Sequence, residues 1–202
     1  MGKTIQTSEG KFFDFENVEA HDYQISEIAH ALSNICRFTG HIKDFYSVAE
    51  HCVEASYLVP EQYALEALLH DASEAYLGDV STHLKSLLPE YKALEQRVEK
   101  TIAEQYGLEY PMPDCVKTAD MLMLIMEKRR FLDDTEHDSK EWPMLEQEAN
   151  ESVLTEIISN SLVSKSPTQA KREFIERFIE LATERYKDED GGEPVGLELA
   201  HA

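Results

Sequence analysis

Apolar residues change their spacing soon after the chain begins. Over residues 4–15 they alternate, with Ile5, Phe13 and Phe15 around a Ser8-Glu9-Gly10 turn, which predicts a short β-hairpin. From Asp22 onward Ile25, Ile28, Ala29, Leu32, Ile35 and Cys36 recur at helical spacing, and Phe38-Thr39-Gly40 is expected to end that helix. Ser47-Val48-Ala49-Glu50 has the form of a capping box and starts a second helix, which carries His51. Pro60 suits the first residue of a third helix, expected to run unbroken to about Gly78. A loop from Gly78 to Lys85 follows, then a helix from Pro89 to Gly107 with Tyr91, Leu94, Val98 and Ile102 as its stripe. Pro111 and Pro113 introduce another, with Val116, Asp120, Met123 and Glu127 on one face. Residues 133–145, charged and irregular, read as a mobile surface loop, and residues 145–162 as a shorter helix. Ser166-Pro167 caps a final helix with Phe174, Ile175, Phe178, Ile179 and Ala182 on one side. The expected fold is therefore all-α, a helical bundle with a small N-terminal β-hairpin.

Composition narrows the class. The 202 residues, 42% hydrophobic and 29% charged, suit one globular domain. The tail at 188–202 has too few apolar groups to offset its ordering entropy and is expected to be a disordered acidic extension. No apolar run approaches the roughly 18–20 residues needed to span a bilayer, and no signal core follows Met1. Three cysteines without a C-x-x-C spacing read as reduced, buried small hydrophobes, which points to a cytoplasmic protein. A net charge of −21 argues against a nucleic-acid polymer as partner, since such affinity rests on phosphate neutralisation by Lys and Arg.

The chemistry gathers around His70-Asp71. An imidazole and a carboxylate side by side can grip one metal ion, and His51 and Asp120 stand in neighbouring helical segments as further ligands. Taken singly, each has a plain reading: a hydrogen-bonded core histidine, a buried pair beside Leu68-Leu69, an Asp with a local partner. The ordered set His…His-Asp…Asp is much harder to obtain by chance. Two His with two Asp suit a divalent metal ion (Co, Mn, Zn, Mg or Fe) and leave positions for water and substrate. Glu74, one turn from His70 and Asp71, can orient or deprotonate that water; Arg37 and Lys85 are the cations best placed to hold phosphate oxygens. His41 and His83 read as loop histidines, Met121, Met123 and Met126 as core packing, and Lys128-Arg129-Arg130 as a solvated helix terminus.

Arg37-Phe38, Phe45-Tyr46-Ser47-Val48-Ala49-Glu50-His51, Leu69-His70-Asp71-Ala72-Ser73-Glu74-Ala75, Gly78-Asp79-Val80 with Lys85, and Lys117-Thr118-Ala119-Asp120 together resemble the HD-domain metal-dependent phosphohydrolases. More narrowly, residues 20–130 are similar to the branch containing bacterial 5′-deoxynucleotidases and phage dATP triphosphohydrolases. The resemblance implies a single HD-type phosphohydrolase domain over residues 1–187, with metal ligation by His51, His70, Asp71 and Asp120. It implies a catalytic role for Glu74, and for Asp79 a place beside the substrate sugar or the attacking water. Arg37, Phe38 and Lys85 would bind the substrate, a deoxynucleoside 5′-phosphate with deoxyadenosine nucleotides favoured. The bacterial enzymes have Arg-Trp where this chain has Arg37-Phe38, and the phage members match better over Phe45-Ala49. Mono- and triphosphate substrates both stay open, as do a non-catalytic nucleotide- or metal-binding module and a hydrolase of a signalling nucleotide. The apolar-striped helices lead us to expect a homo-oligomer.

Overall fold

In the computed structural model, which describes residues 2–142, 144 and 160–187, β1 (Thr4–Gln6) pairs antiparallel with β2 (Phe12–Asp14), placing Ile5 opposite Phe13. Gly10 closes the turn with a φ of 78°, which a side chain rarely tolerates. Among the described residues the remaining elements are helical. They are α1 (Ile25–Asn34), α2 (Val48–Ser56), α3 (Ala64–Leu68), α4 (Glu74–Leu77), α5 (Thr82–Lys85), α6 (Pro89–Tyr106), α7 (Asp114–Phe131), α8 (Asp138–Glu141) and α9 (Pro167–Lys187). The fold is thus all-α with a small β-hairpin. The helix expected over 145–162 lies outside the described residues except at its last three positions, and the acidic tail lies wholly outside them. No helix among the described residues is long and apolar enough to cross a membrane.

The apolar stripes explain the packing. α1 lies against α9, α2 and α4, and α7 packs on α2 and α3. Ile28, Leu32, Val48, Leu68, Phe174 and Phe178 are completely or almost completely buried, each contributing on the order of 1.5–3 kcal/mol of transfer free energy. Tyr106 meets Phe178 edge-on at 5.6 Å between ring centres. Buried Glu27 binds the hairpin to the helices, accepting hydrogen bonds from Thr7 and Tyr76 and pairing with His21 at 3.1 Å.

The structure departs from the sequence pattern in three places that matter for the site. α1 stops at Asn34, earlier than expected, because Ile35 turns extended and its carbonyl accepts from Val48 N–H. Arg37 N–H donates to Tyr46 O at 2.9 Å, and Phe38 and Thr39 then take left-handed φ of 54° and 55°. The chain entering α2 is thereby sewn to the chain leaving α1, which turns Arg37 inward. The third helix is broken, α3 ending at Leu68 and α4 beginning at Glu74. Its break follows from the His70 ring, whose Nδ1 donates to Ala67 O at 2.7 Å, the carbonyl an unbroken helix would offer to Asp71 N–H. Finally, Lys128 is buried rather than solvated: its ammonium binds Asp133 O, Asp134 and Asp138 and collects part of the expected loop into a turn ahead of α8. Smaller corrections are Met121, which is exposed, and Cys36 and Cys115, which are only half-buried.

Because Phe178 joins α9 to the core, Phe178→Ala should destabilise the protein by about 3–5 kcal/mol. Urea unfolding checks this; the midpoint should fall while the slope stays constant.

Candidate metal centre

Three helical segments deliver the ligand atoms. Ser47 Oγ caps α2 by accepting from Glu50 N–H at 3.2 Å, and the Glu50 carboxylate accepts from Ser47 N–H at 2.8 Å. That reciprocal cap, further held by Lys165 N–H on Glu50 at 2.7 Å, fixes the rotation of α2 and buries His51 completely. The tight turns at 69–73 present His70 and Asp71, and α7 brings Asp120 across from the other side.

Four ligand atoms converge. His51 Nε2 lies 3.1 Å from His70 Nε2, 3.6 Å from Asp71 Oδ2 and 3.3 Å from Asp120 Oδ1. His70 Nε2 lies 3.3 Å from Asp71 Oδ2 and 3.8 Å from Asp120 Oδ1. Bonds of ~2.0–2.2 Å to one cation would set neighbouring ligand atoms roughly 3–3.5 Å apart. The Asp120 side chain is 47% exposed and that of Asp71 20%, so the cluster is dry on its histidine side and open on its carboxylate side.

Tautomers decide what the convergence is for. His70 Nδ1 faces a backbone carbonyl, which only accepts, so Nδ1 carries the proton. His51 Nδ1 lies 2.6 Å from Glu127 Oε1, inside a wholly buried ion pair, and donates likewise. Both Nε2 lone pairs then point at the same spot from 3.1 Å apart, an arrangement that repels unless a cation stands between them. The residues fit a metal on this ground. Without one, a proton must substitute: burial and Arg37 oppose a charge on His51, yet Glu127 and Asp120 outweigh them and raise its pKa. Burial likewise opposes a charge on His70, but Asp71 leads a set of neighbours that drives its pKa well up. Asp120, despite partial desolvation, is held far below the usual carboxylate range by the two histidines. Cys52 Sγ also lies near His70 and Asp71, but burial pushes its thiol up to about 11, so it offers no thiolate.

Glu127 is the residue that sequence reasoning left without a role. It sits seven positions after Asp120 on the same face of α7, wholly buried, and accepts from Arg37 Nε at 3.1 Å and Nη2 at 2.8 Å as well as from His51. That spacing was the available signal, and nothing in it distinguished a ligand-holding carboxylate from a core neighbour. Burial opposes its charge, but Arg37 and His51 prevail and lower its pKa.

The structure places the other expected residues around this centre. Arg37, only 8% exposed, spends two of its nitrogens on Glu127 and turns Nη1 toward Asp71 Oδ2 at 3.8 Å. Phe38 lies under the Arg37 guanidinium at 5.7 Å and near Trp142, their ring centres 6.4 Å apart. Lys85 binds Glu95 at 2.6 Å and stands 3.7 Å from Glu74 Oε1. Glu74 Oε2 is buried and takes no hydrogen bond among the described residues. Burial, then Asp71 and Asp79, raises the Glu74 pKa well above the ordinary range; burial also raises that of half-buried Asp79. His41 and His83 are exposed.

The sequence was compared with known proteins. The family described as 5′-deoxynucleotidase YfbR-like matches residues 5–129. An uncharacterised Escherichia coli protein, YfdR, is 43% identical over 88% of this chain and 95% of its own length. The 5′-deoxynucleotidase YfbR of Photorhabdus temperata is 30% identical over 65% of this chain, which spans only 55% of that relative. An Erwinia tasmaniensis 5′-deoxynucleotidase is 34% identical over 44% of the chain and 40% of its own length.

Glu127→Ala should leave both Arg37 and His51 without their buried partner. We expect a loss of about 3–5 kcal/mol in stability and a 10–100-fold loss in Co²⁺ affinity by calorimetric titration. Because the native pKa of Glu127 is lowered, its contribution is complete above the unfolded value of ~4.3 and fades as pH falls through the native one. Acid unfolding of Glu127→Gln should therefore show a shallower pH dependence than wild type.

Proposed function

As the chain belongs to the YfbR-like 5′-deoxynucleotidase family, we propose that residues 1–187 form one hydrolase domain that removes phosphate from deoxynucleoside 5′-monophosphates, deoxyadenosine nucleotides first among them. The observation that carries this reading is the pair of convergent imidazole lone pairs, 3.1 Å apart, in a protein that also buries a carboxylate oxygen of Glu74 without a hydrogen-bond partner among the described residues. A purely structural site has no use for a buried carboxylate oxygen left without a hydrogen bond and two cations nearby.

In this reading His51, His70, Asp71 and Asp120 hold a divalent cation such as Co²⁺, Mn²⁺ or Zn²⁺. When bound it supplies Lewis acidity and a water acidified toward neutral pH. Glu74 accepts a proton from the attacking water, its raised pKa matching that task better than an exposed carboxylate would. Asp79 steadies the water or the sugar from the rim. Arg37, pinned by Glu127 and backed by the Phe38 ring, offers Nη1 to a phosphate oxygen, and Lys85, beside Glu74, offers its ammonium. Donors fixed in place before the reaction stabilise the charge that develops on the phosphate.

Charge favours one phosphate over three. Asp71, Asp120, Glu74, Asp79 and Glu127 surround two cations, Arg37 and Lys85, and both cations are already engaged by carboxylates. A monophosphate's charge is within reach of a divalent cation plus these groups; a triphosphate tail would meet uncompensated carboxylates. Self-association is part of the proposal, with exposed Leu84, Leu87 and Leu88 offering one apolar patch for it.

The test is a panel of deoxynucleoside mono- and triphosphates with Co²⁺ or Mn²⁺, identifying the product as phosphate, pyrophosphate or triphosphate. Phosphate from monophosphates is expected, and triphosphate release would contradict the charge argument. Asp71→Ala should lose metal and activity together. Glu74→Gln should keep metal and nucleotide binding but lose roughly 10²–10⁴ in kcat. Activity needs ionised Glu74, so kcat/KM in wild type should rise with pH through an acid limb above ~4.3.

A further inference from the structure

Glu74 stands on α4, a helix of four residues that follows the tight turns at 69–73. Two bonds of α-helical spacing close it, Leu77 N–H to Ser73 O and Gly78 N–H to Glu74 O. A single turn fixes more dihedral angles than its hydrogen bonds repay, so α4 takes its orientation from what it packs against. Residues two apart on a helix do not share a face. The side chain turned away from Glu74 is therefore that of Tyr76.

Tyr76 is 6% exposed, and its contacts reach elements distant in sequence. Its hydroxyl donates to Glu27 Oε2 at 3.2 Å, which ties α4 to α1. Its ring sits among Phe13 of β2, Tyr23 and His21, with ring centres 4.7, 5.1 and 5.2 Å away. Glu27 is held on its own account: it is 2% exposed, accepts from Thr7 at the end of β1, and pairs with His21. A buried carboxylate with several donors resists rearrangement, because any shift leaves a polar group unsatisfied. On its other side α4 has less to hold it. Glu74 stands 3.7 Å from Lys85, and its Oε2 takes no hydrogen bond among the described residues.

We propose that Tyr76, seated on Glu27, is a positioning residue that aims the Glu74 carboxylate at the metal centre, a proposal that rests on the nucleotidase reading above. The N-terminal hairpin then serves the reaction without touching it, through Phe13 and Thr7. A rotation of α4 too small to disturb the core still swings a carboxylate at the end of its side chain. Misplacing a catalytic group by ~1 Å costs on the order of 10²-fold in rate. His51, His70, Asp71 and Asp120 all lie outside α4, so metal affinity is insensitive to that rotation.

The experiment is a double-mutant cycle on the Co²⁺-loaded protein with dAMP, with rates normalised to bound cobalt. Tyr76→Phe removes one hydroxyl and keeps the ring. Its kcat should fall about tenfold, with KM and cobalt affinity unchanged. In a Glu74→Gln background the same change should cost nothing further, since Tyr76 acts through a carboxylate already gone. Unchanged kcat in Tyr76→Phe overturns the proposal, as does an equal loss in the Glu74→Gln background or a loss that appears in KM or cobalt affinity. Where Tyr76→Phe does not fold, Glu27→Gln carries the same cycle. If wild type cleaves no nucleotide, the nucleotidase reading fails, and hydrogen exchange judges the positioning alone. The Leu77 and Gly78 amides should then exchange about tenfold faster in Tyr76→Phe while those of α6 keep their wild-type rates. Equal exchange in the two proteins, or faster exchange throughout, overturns it.

Discussion

The carboxylate of Glu127, wholly buried between His51 and Arg37, is the interaction on which the site depends. It joins α7 to α2 and to the segment leaving α1, so the helices that carry Asp120 and His51 cannot drift apart independently. It also holds the proton on Nδ1 of His51 and so frees Nε2 for the centre. Removing a partner from such a buried set leaves a charge uncompensated, which costs far more than an exposed ion pair contributes.

The rest of the architecture serves the same geometry by other means. His70 takes its tautomer from a backbone carbonyl and, in doing so, interrupts its own helix and sets Asp71 on the open side. The capping box at Ser47 and Glu50 sets the rotation of α2. Two imidazoles are thus oriented by unrelated devices, one through a carboxylate and one through the main chain, before any ligand arrives. The order of burial follows: histidines dry, carboxylates open toward solvent.

Much of this was legible in the sequence because it is local. The hairpin, the start of α2 at its cap, α6 and α9 follow from spacing and capping chemistry. The set His51, His70, Asp71 and Asp120 was legible as an ordered pattern, and the structure brings all four together. What escaped depends on contacts distant along the chain. The early end of α1 is set by pairing with residues 46–48, and the burial of Lys128 by two carboxylates and one carbonyl beyond α7. Glu127 looked like one more position on a helix face until Arg37, ninety positions away, closed on it. The contact of Tyr76 with Glu27 likewise joins two separate segments, and no single stretch announces it.

Net acidity, which argues against a polyanionic partner, acquires a local meaning at this centre. Carboxylates outnumber cations around the histidines, and a divalent cation is the economical way to balance them. X-ray absorption spectroscopy of the zinc-loaded protein tests that most directly. One zinc per chain in a shell of nitrogen and oxygen at ~2.0–2.2 Å, with imidazole scattering, is the predicted result. A sulfur shell at ~2.3 Å from Cys52, or no zinc retained after dialysis, would contradict it.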